Sequence, residues 1–136
     1  MMIVLDTNVV VSGIFRPLSK AASILRLVAD GTIHLAYDFR LLSEYREVLG
    51  RSKFSFAKED VEAFLQQVER EGFLVSGKPL KLHLPDPDDE AFLEVALSVK
   101  AKVVVTGNKR HFPKKEYEGI RILSPSEFLD ALSNEI

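Results

Sequence analysis

The 136-residue sequence contains no cysteine. Disulfide bonds, zinc–thiolate sites and a cysteine nucleophile are therefore excluded. The sequence also has no apolar stretch near the roughly 18 residues that a membrane-spanning helix needs. It has no basic leader segment either, since Asp6 follows directly on five apolar residues. We therefore expect no signal peptide, no membrane association and a cytoplasmic location.

An excess of positive charge is also missing. The 18 basic and 20 acidic residues give a net charge of −2. Proteins that hold nucleic acid through its phosphate backbone alone are usually strongly basic. If this protein acts on a polyanion, bound cations must offset its acids, or a local basic patch must guide the substrate.

The length of the sequence and its pattern of apolar residues indicate one compact α/β domain, which we expect to span residues 1–136. Short apolar runs predict strands at residues 1–5, 33–37, 73–76, 102–105 and 121–123. Helical periodicity predicts helices at residues 21–30, 39–49, 58–71, 88–100 and 125–132, with a loop at 77–87. This alternation is typical of a mostly parallel sheet covered by helices.

Two of the predicted strands end in similar polar residues. The first is followed by Asp6-Thr7-Asn8 and the fourth by Thr106-Gly107-Asn108. Parallel strands bring both endings to the same edge of a sheet, where ligands of open parallel sheets bind. Asp and Asn are also good turn residues, which would explain either ending alone. Together, the two endings favour a site.

Two further groups of acids could join that site. Glu44 borders the apolar stripe of its helix, although on the sequence pattern alone the favoured explanation is an i, i+4 pair with Arg40 or an ordinary flanking acid. Residues 86–90 hold four acids. Asp86 and Pro87 suit a helix start, and a helix dipole favours acids in the first turn. We expect Asp88 and Asp89 to face inward.

Several inward carboxylates are the ligands that a hard cation such as Mg²⁺ prefers. One or two such ions can activate water and stabilise an in-line phosphoryl displacement. Bound metal would also neutralise the acids and bridge them to phosphate. The general base could then be a metal-bound hydroxide, so that no histidine is essential.

These residues resemble the PIN-domain family, and in particular the PIN-type toxins of prokaryotic toxin–antitoxin systems, which are related to VapC-type ribonucleases. The matching segments are residues 3–9, 42–45, 86–93 with Ala96, and 104–109. They occur in the family's order and cover nearly the whole chain. The resemblance implies a three-layer fold with a central five-stranded parallel sheet flanked by helices. It also implies an Mg²⁺- or Mn²⁺-dependent endoribonuclease.

The resemblance also assigns roles to residues. Asp6 would be the central metal ligand, Glu44 the second acid and Asp89 the third, and these three would be catalytic. Asp88 is the rival for the third position. The family's fourth acid falls on Asn108, whose amide oxygen can coordinate a metal but brings no charge.

Four other residues receive supporting roles. Asn8 and Thr106 would orient the carboxylates. Lys109 and Arg110 belong to a basic patch just past Asn108, where phosphate contact and a solvated loop are equally good explanations. His111 lies in the same patch, beside Phe112 and Pro113, and a structural role is the favoured interpretation of it.

Three hypotheses follow. The first is an RNA-cleaving toxin, with an RNA substrate, a cognate antitoxin protein and a homodimeric state. The second is a PIN-fold module that binds RNA or protein without cutting, which Asn108 and the slightly acidic charge support. The third is a signalling or phosphatase domain of similar architecture, which the Asn at position 8 and Ser76-Gly77 do not suit.

Overall fold

The computed structural model describes residues 1–76, 83–99 and 101–134. Within them, six strands form one sheet: β1 (Met2–Leu5), β2 (His34–Tyr37), β3 (Phe73–Leu74), β4 (Val103–Val105), β5 (Glu116–Tyr117) and β6 (Ile120–Leu123). Their order across the sheet is β3-β2-β1-β4-β6-β5. The first five strands in that order are parallel, and β5 runs antiparallel to β6. The predicted five-stranded parallel sheet is confirmed, with one short strand added at its edge.

The added strand belongs to a tight hairpin that the sequence analysis did not predict. Glu118 and Gly119 connect β5 to β6, and both have positive φ angles, 48° and 89°. Two such residues in succession give a turn whose twist matches that of paired antiparallel strands. Glycine adopts this conformation without steric cost, whereas glutamate does so with strain.

In the described part of the chain, six α-helices pack around the sheet: α1 (Thr7–Phe15), α2 (Lys20–Ala29), α3 (Phe39–Leu49), α4 (Lys58–Glu71), α5 (Glu90–Val99) and α6 (Pro125–Asn134). Helix α2 contacts both α1 and α6, whereas α3 contacts α4 and α5, and α5 lies against β1, β2 and β4. This is the three-layer α/β arrangement that the resemblance implies. No helix among the described residues is both long enough and apolar enough to cross a membrane.

Helix α1 was not predicted, because its sequence is poor in helix-forming residues. It contains three consecutive valines followed by Ser12 and Gly13, all with modest or low helix propensity. Gly13 lies so close to α2 that a Cβ there would be 2.5 Å from Leu25 Cδ1. Close packing against α2 therefore stabilises α1 where local propensity does not.

The predicted helix at residues 88–100 begins differently in the structure. Pro87–Asp89 is a 3₁₀ turn, and the α-helix begins only at Glu90. Asp86 caps the turn by accepting a hydrogen bond from Asp88 N at 2.9 Å, and Pro87 takes the first helical position, as predicted. Lys100 and part of the predicted loop, residues 77–82, lie outside the described residues.

Strand β1 sets the position of the candidate site. Ile3, Val4 and Leu5 are fully buried, which confirms a strand covered on both faces. The buried hydroxyl of Tyr45, on α3, donates a hydrogen bond to the Leu5 carbonyl at 2.6 Å. This bond ties α3 to the end of β1, one residue before Asp6.

Candidate metal centre

Asp6 follows β1 at the carboxyl edge of the sheet and is 3% exposed. It stands at the position that caps α1, but its side chain makes no capping bond. Instead, Asp6 Oδ2 accepts hydrogen bonds from Thr106 Oγ1 at 2.8 Å and from Asn8 Nδ2 at 3.4 Å. A turn-forming role therefore does not explain this carboxylate, which is held inside the site by residues from both strand endings.

Asn8 and Thr106 also connect the two strand endings to each other. The backbone N–H of Gly107 donates to Asn8 Oδ1 at 2.8 Å, and Thr106 is fully buried. A Cβ at Gly107 would lie 3.2 Å from Asn8 Oδ1, so glycine allows this close approach. The arrangement fixes the orientation of Asp6 from two sides.

Asp89 lies on the 3₁₀ turn before α5 and is 8% exposed. Its Oδ2 atom is buried and has no hydrogen-bond partner among the described residues. Burial raises the pKa of Asp89 to about 6, with further repulsion from Asp6, while the nearby charge of His111 opposes the shift. A buried carboxylate oxygen without a partner is costly, and a bound cation would satisfy it.

His111 is the third residue of this group, although a structural role was the favoured interpretation of it from the sequence. Its Nδ1 lies 2.9 Å from Asp6 Oδ2 and 3.7 Å from Asp89 Oδ1. Partial burial lowers the pKa of His111, but the hydrogen bond to Asp6 and the negative charges of both aspartates outweigh it, so that the pKa is raised overall. Nδ1 of His111 is placed to donate a hydrogen bond to Asp6 Oδ2.

Glu44 reaches the site from α3 and is half-buried. The Thr7 hydroxyl, at the start of α1, donates a hydrogen bond to Glu44 Oε2. Burial raises the pKa of Glu44, as does the negative charge of Asp6, although the bond from Thr7 opposes the shift. The predicted i, i+4 pair of Glu44 with Arg40 is not what the structure shows, because Arg40 forms its ion pairs with Asp38 at 2.7 Å and Glu94 at 2.6 Å.

The expectation that Asp88 and Asp89 both face inward is wrong for Asp88, which is exposed. In a 3₁₀ turn successive residues are rotated by about 120°, so two neighbours do not share the α-helical face that the sequence pattern assumed. Asp88 instead lines a separate cleft of about 410 Å³ together with Arg40 and Glu44. We call this the Arg40 cleft.

Asn108 is exposed, and its side-chain oxygen accepts a hydrogen bond within its own loop. Asn108 Oδ1 accepts a hydrogen bond from Arg110 N at 3.0 Å and so caps the 3₁₀ turn Lys109–His111. This cap directs the chain so that His111, three residues later, turns back to Asp6. In this conformation the histidine is close to the two buried aspartates, and metal coordination by the Asn108 amide stays a prediction.

The basic patch is only partly available to a ligand. Lys109 forms an ion pair with Glu127 at the start of α6. This pair, with the backbone N–H of Ser124, lowers the pKa of Glu127 to about 2. Arg110 is exposed beside it. Phosphate contact by either residue stays a prediction.

The donor set fits a divalent cation. Asp6, Asp89 and His111 each offer one ligand atom, and these three atoms lie within 4.8 Å of one another. Two carboxylate oxygens suit Mg²⁺ or Mn²⁺, an imidazole nitrogen suits Mn²⁺ better than Mg²⁺, and both ions can fill the remaining positions with water. The unpartnered Oδ2 of Asp89 supports this interpretation.

The three residues lie at one end of an open cleft of about 540 Å³, which we call the site cleft. Glu44 lines both this cleft and the Arg40 cleft, and is therefore the boundary between them. The other end of the site cleft is formed by the side chains of Val11, Phe15, Val48 and Phe54. Acidic and apolar surfaces thus share one cleft.

A family model of the PIN domain matches residues 2–110. The chain belongs to the PIN-domain family. PIN domains are in general nucleases and typically use divalent metal ions. The match covers the segments that carry Asp6, Glu44, Asp89 and Asn108, but it stops one residue before His111. No curated protein and no solved structure matches the chain significantly.

Proposed function

We propose that this PIN-domain protein is an endoribonuclease that hydrolyses RNA phosphodiester bonds with Mg²⁺ or Mn²⁺. One observation carries the proposal. Asp6, Asp89 and His111 each offer one ligand atom, these atoms lie within 4.8 Å of one another, and Oδ2 of Asp89 is buried without a hydrogen-bond partner among the described residues. The elements that bring these residues together come from three distant parts of the chain.

Each residue of the site would have its own role in the reaction. Asp6, held by Thr106, and Asp89 would bind the cation. When bound, such an ion supplies an activated water and neutralises charge on the phosphate. Glu44, fixed by Thr7 and with a raised pKa, is suited to orient the attacking water and accept its proton.

The proposal also includes a role for the protein in the cell. The likeness of residues 3–9, 42–45, 86–93 and 104–109 to PIN-type toxins supports a role as the toxin of a toxin–antitoxin pair. Its partners would be the RNA substrate and a cognate antitoxin protein, and the protein would act in the cytoplasm as a homodimer. Co-purification with the product of the adjacent gene would test the pairing.

The nuclease activity is tested by incubating the purified protein with RNA and either Mg²⁺ or Mn²⁺. We expect cleavage that EDTA abolishes. Asp6→Asn should remove cleavage while leaving the unfolding transition in place. The matched control is Asp60→Asn, which makes the same change at an exposed position on α4. Full cleavage by the Asp6 variant would contradict the site assignment.

A second candidate function is binding without cleavage. It is favoured by Asn108, which stands where the family has an acid and whose side-chain oxygen is engaged in a cap. Calorimetric titration with Mn²⁺ separates the two candidates. Measurable binding supports the nuclease, and the absence of binding leaves only the binding module.

A further inference from the structure

Three phenylalanines cluster at the end of the site cleft that is remote from the carboxylates. The rings of Phe54 and Phe56 are stacked, with centroids 5.2 Å apart, and Phe15 contacts Phe56 edge to face at 6.4 Å. Phe15 is 59% exposed, and it lines the site cleft together with Phe54. We call these three residues the aromatic cluster. An exposed aromatic ring next to a polar site is typical of a ligand-binding surface.

Helix α1 connects the aromatic cluster to the carboxylates. Thr7, Val11 and Phe15 are spaced by four residues, so they form one stripe of the helix, and all three line the site cleft. Thr7 bonds to Glu44 at one end of the stripe. With a rise of 1.5 Å per residue, Phe15 lies about 12 Å further along. A ligand that reaches both ends must be longer than a single phosphate group.

The remote end also carries positive charge. Arg16 lines the site cleft beside Phe15 and is exposed. The ammonium group of Lys53 lies 5.1 Å from the centroid of the Phe54 ring. An exposed aromatic ring flanked by cations is a combination that suits single-stranded nucleic acid, since bases stack on rings and phosphates pair with cations.

We infer that the aromatic cluster is a nucleobase subsite, in which a base flanking the scissile phosphate packs against Phe15 while Arg16 contacts a neighbouring phosphate. The inference rests on the proposed ribonuclease function and specifies its substrate. A base inside a duplex stacks on its neighbours and cannot pack against a side chain. The substrate is therefore single-stranded at this nucleotide.

The test measures how binding depends on bases. The probe is a fluorescent single-stranded RNA of about ten nucleotides, compared with an abasic ribose–phosphate oligomer of equal length. Binding is followed by anisotropy on an Asp6→Asn background, which prevents cleavage. The variants are Phe15→Ala and the conservative Phe15→Tyr. The control is Phe39→Ala, since Phe39 is 70% exposed on α3 but lines neither cleft.

We expect Phe15→Ala to weaken RNA binding about 5- to 140-fold, the range that loss of one stacked base gives. Phe15→Tyr and Phe39→Ala should bind like the parent protein. The abasic oligomer should bind equally to all of them. In cleavage assays with Asp6 restored, the loss should appear mainly in KM.

Two results would overturn the subsite. One is an equal loss for RNA and the abasic oligomer, which would mean that no base is involved. The other is RNA binding that Phe15→Ala leaves unchanged. If sedimentation then shows that Phe15→Ala converts a dimer to a monomer, the aromatic cluster is occupied by a second copy of the chain. The proposed function fails separately, when the parent protein binds RNA through its bases but does not cleave it with either metal.

Discussion

The Nδ1 atom of His111 lies 2.9 Å from Asp6 Oδ2, although 105 positions separate the two residues in the sequence. The raised pKa of His111 favours its protonated form, in which a proton on Nδ1 faces the Asp6 carboxylate. A cation binding at the same carboxylate must displace that proton or share the charge. We therefore expect metal binding at this centre to be coupled to protonation of His111.

The first prediction concerns metal preference. His111→Gln should lower Mn²⁺ affinity by about tenfold and Mg²⁺ affinity less, because imidazole nitrogen is a better ligand for Mn²⁺ than for Mg²⁺. Calorimetry gives the affinities, and the nitrogen coupling in the Mn²⁺ electron paramagnetic resonance spectrum should disappear. His83→Gln, at an exposed histidine, is the control. Equal losses for both metals would show that His111 is not a ligand.

The second prediction separates the two adjacent acids. Asp89→Asn should reduce RNA cleavage at least about 100-fold, because it removes a buried carboxylate from the metal group. Asp88→Asn should stay within about twofold of the parent, because Asp88 is exposed and lines the Arg40 cleft. The reverse ranking in a cleavage assay would move the third ligand to Asp88.

The third prediction is a pH dependence of stability in the metal-free protein. The pKa of Asp89 is about 6 when folded against 3.8 ordinarily, and the pKa of His111 is raised above 6.5. In both cases the folded state binds protons more tightly, so stability falls as the pH rises through these values. Thermal unfolding in EDTA should therefore occur at a lower temperature at about pH 7.5 than at about pH 5.

Asp89→Asn should remove much of this dependence and stabilise the metal-free protein near neutral pH by about 1 kcal/mol, a value discounted for solvent screening. Adding Mn²⁺ should raise the unfolding temperature of the parent at neutral pH, but not that of the variant. The comparison stays above about pH 5 because Glu127, with its pKa of about 2 when folded against 4.5, acts in the opposite direction at lower pH. An unfolding temperature that rises with pH in EDTA would refute the prediction.

The fourth prediction concerns the bond that fixes the end of β1. Tyr45→Phe should lower the free energy of unfolding by about 1 to 2 kcal/mol, because it leaves a buried carbonyl of Leu5 without its donor. Urea denaturation measures this loss. Tyr117→Phe is the control, since it removes only a bond from the exposed Lys114 N, and we expect it to cost less. Equal costs would mean that burial does not decide the value of the Tyr45 bond.

The sequence predicted the elements whose patterns are local. The unbroken apolar run before Asp6 indicated a buried strand, and Asp86-Pro87 indicated a helix start, and both are confirmed. Helix α1 was missed because its valines and glycine are poor helix formers that tertiary packing overrides.

The position of His111 could not be predicted, because it depends on a turn of three residues that Asn108 caps through a side-chain bond. Sequence patterns report which residues share a face of a regular element, and His111 lies on none. A cap residue followed by basic residues after a strand was the available signal. The predicted inward orientation of Asp88 was wrong for a related reason, since the prediction applied the α-helical period to residues that form a 3₁₀ turn.

The outermost strands of the sheet, β3 and β5, have two residues each. Edges this short expose few backbone N–H and C=O groups, so they are poor templates for strand addition by another chain. Self-association of this protein through a continuous intermolecular sheet is therefore disfavoured. Its contacts with other molecules should be made by side chains on helices and clefts, which substitutions can remove one at a time without disturbing the sheet.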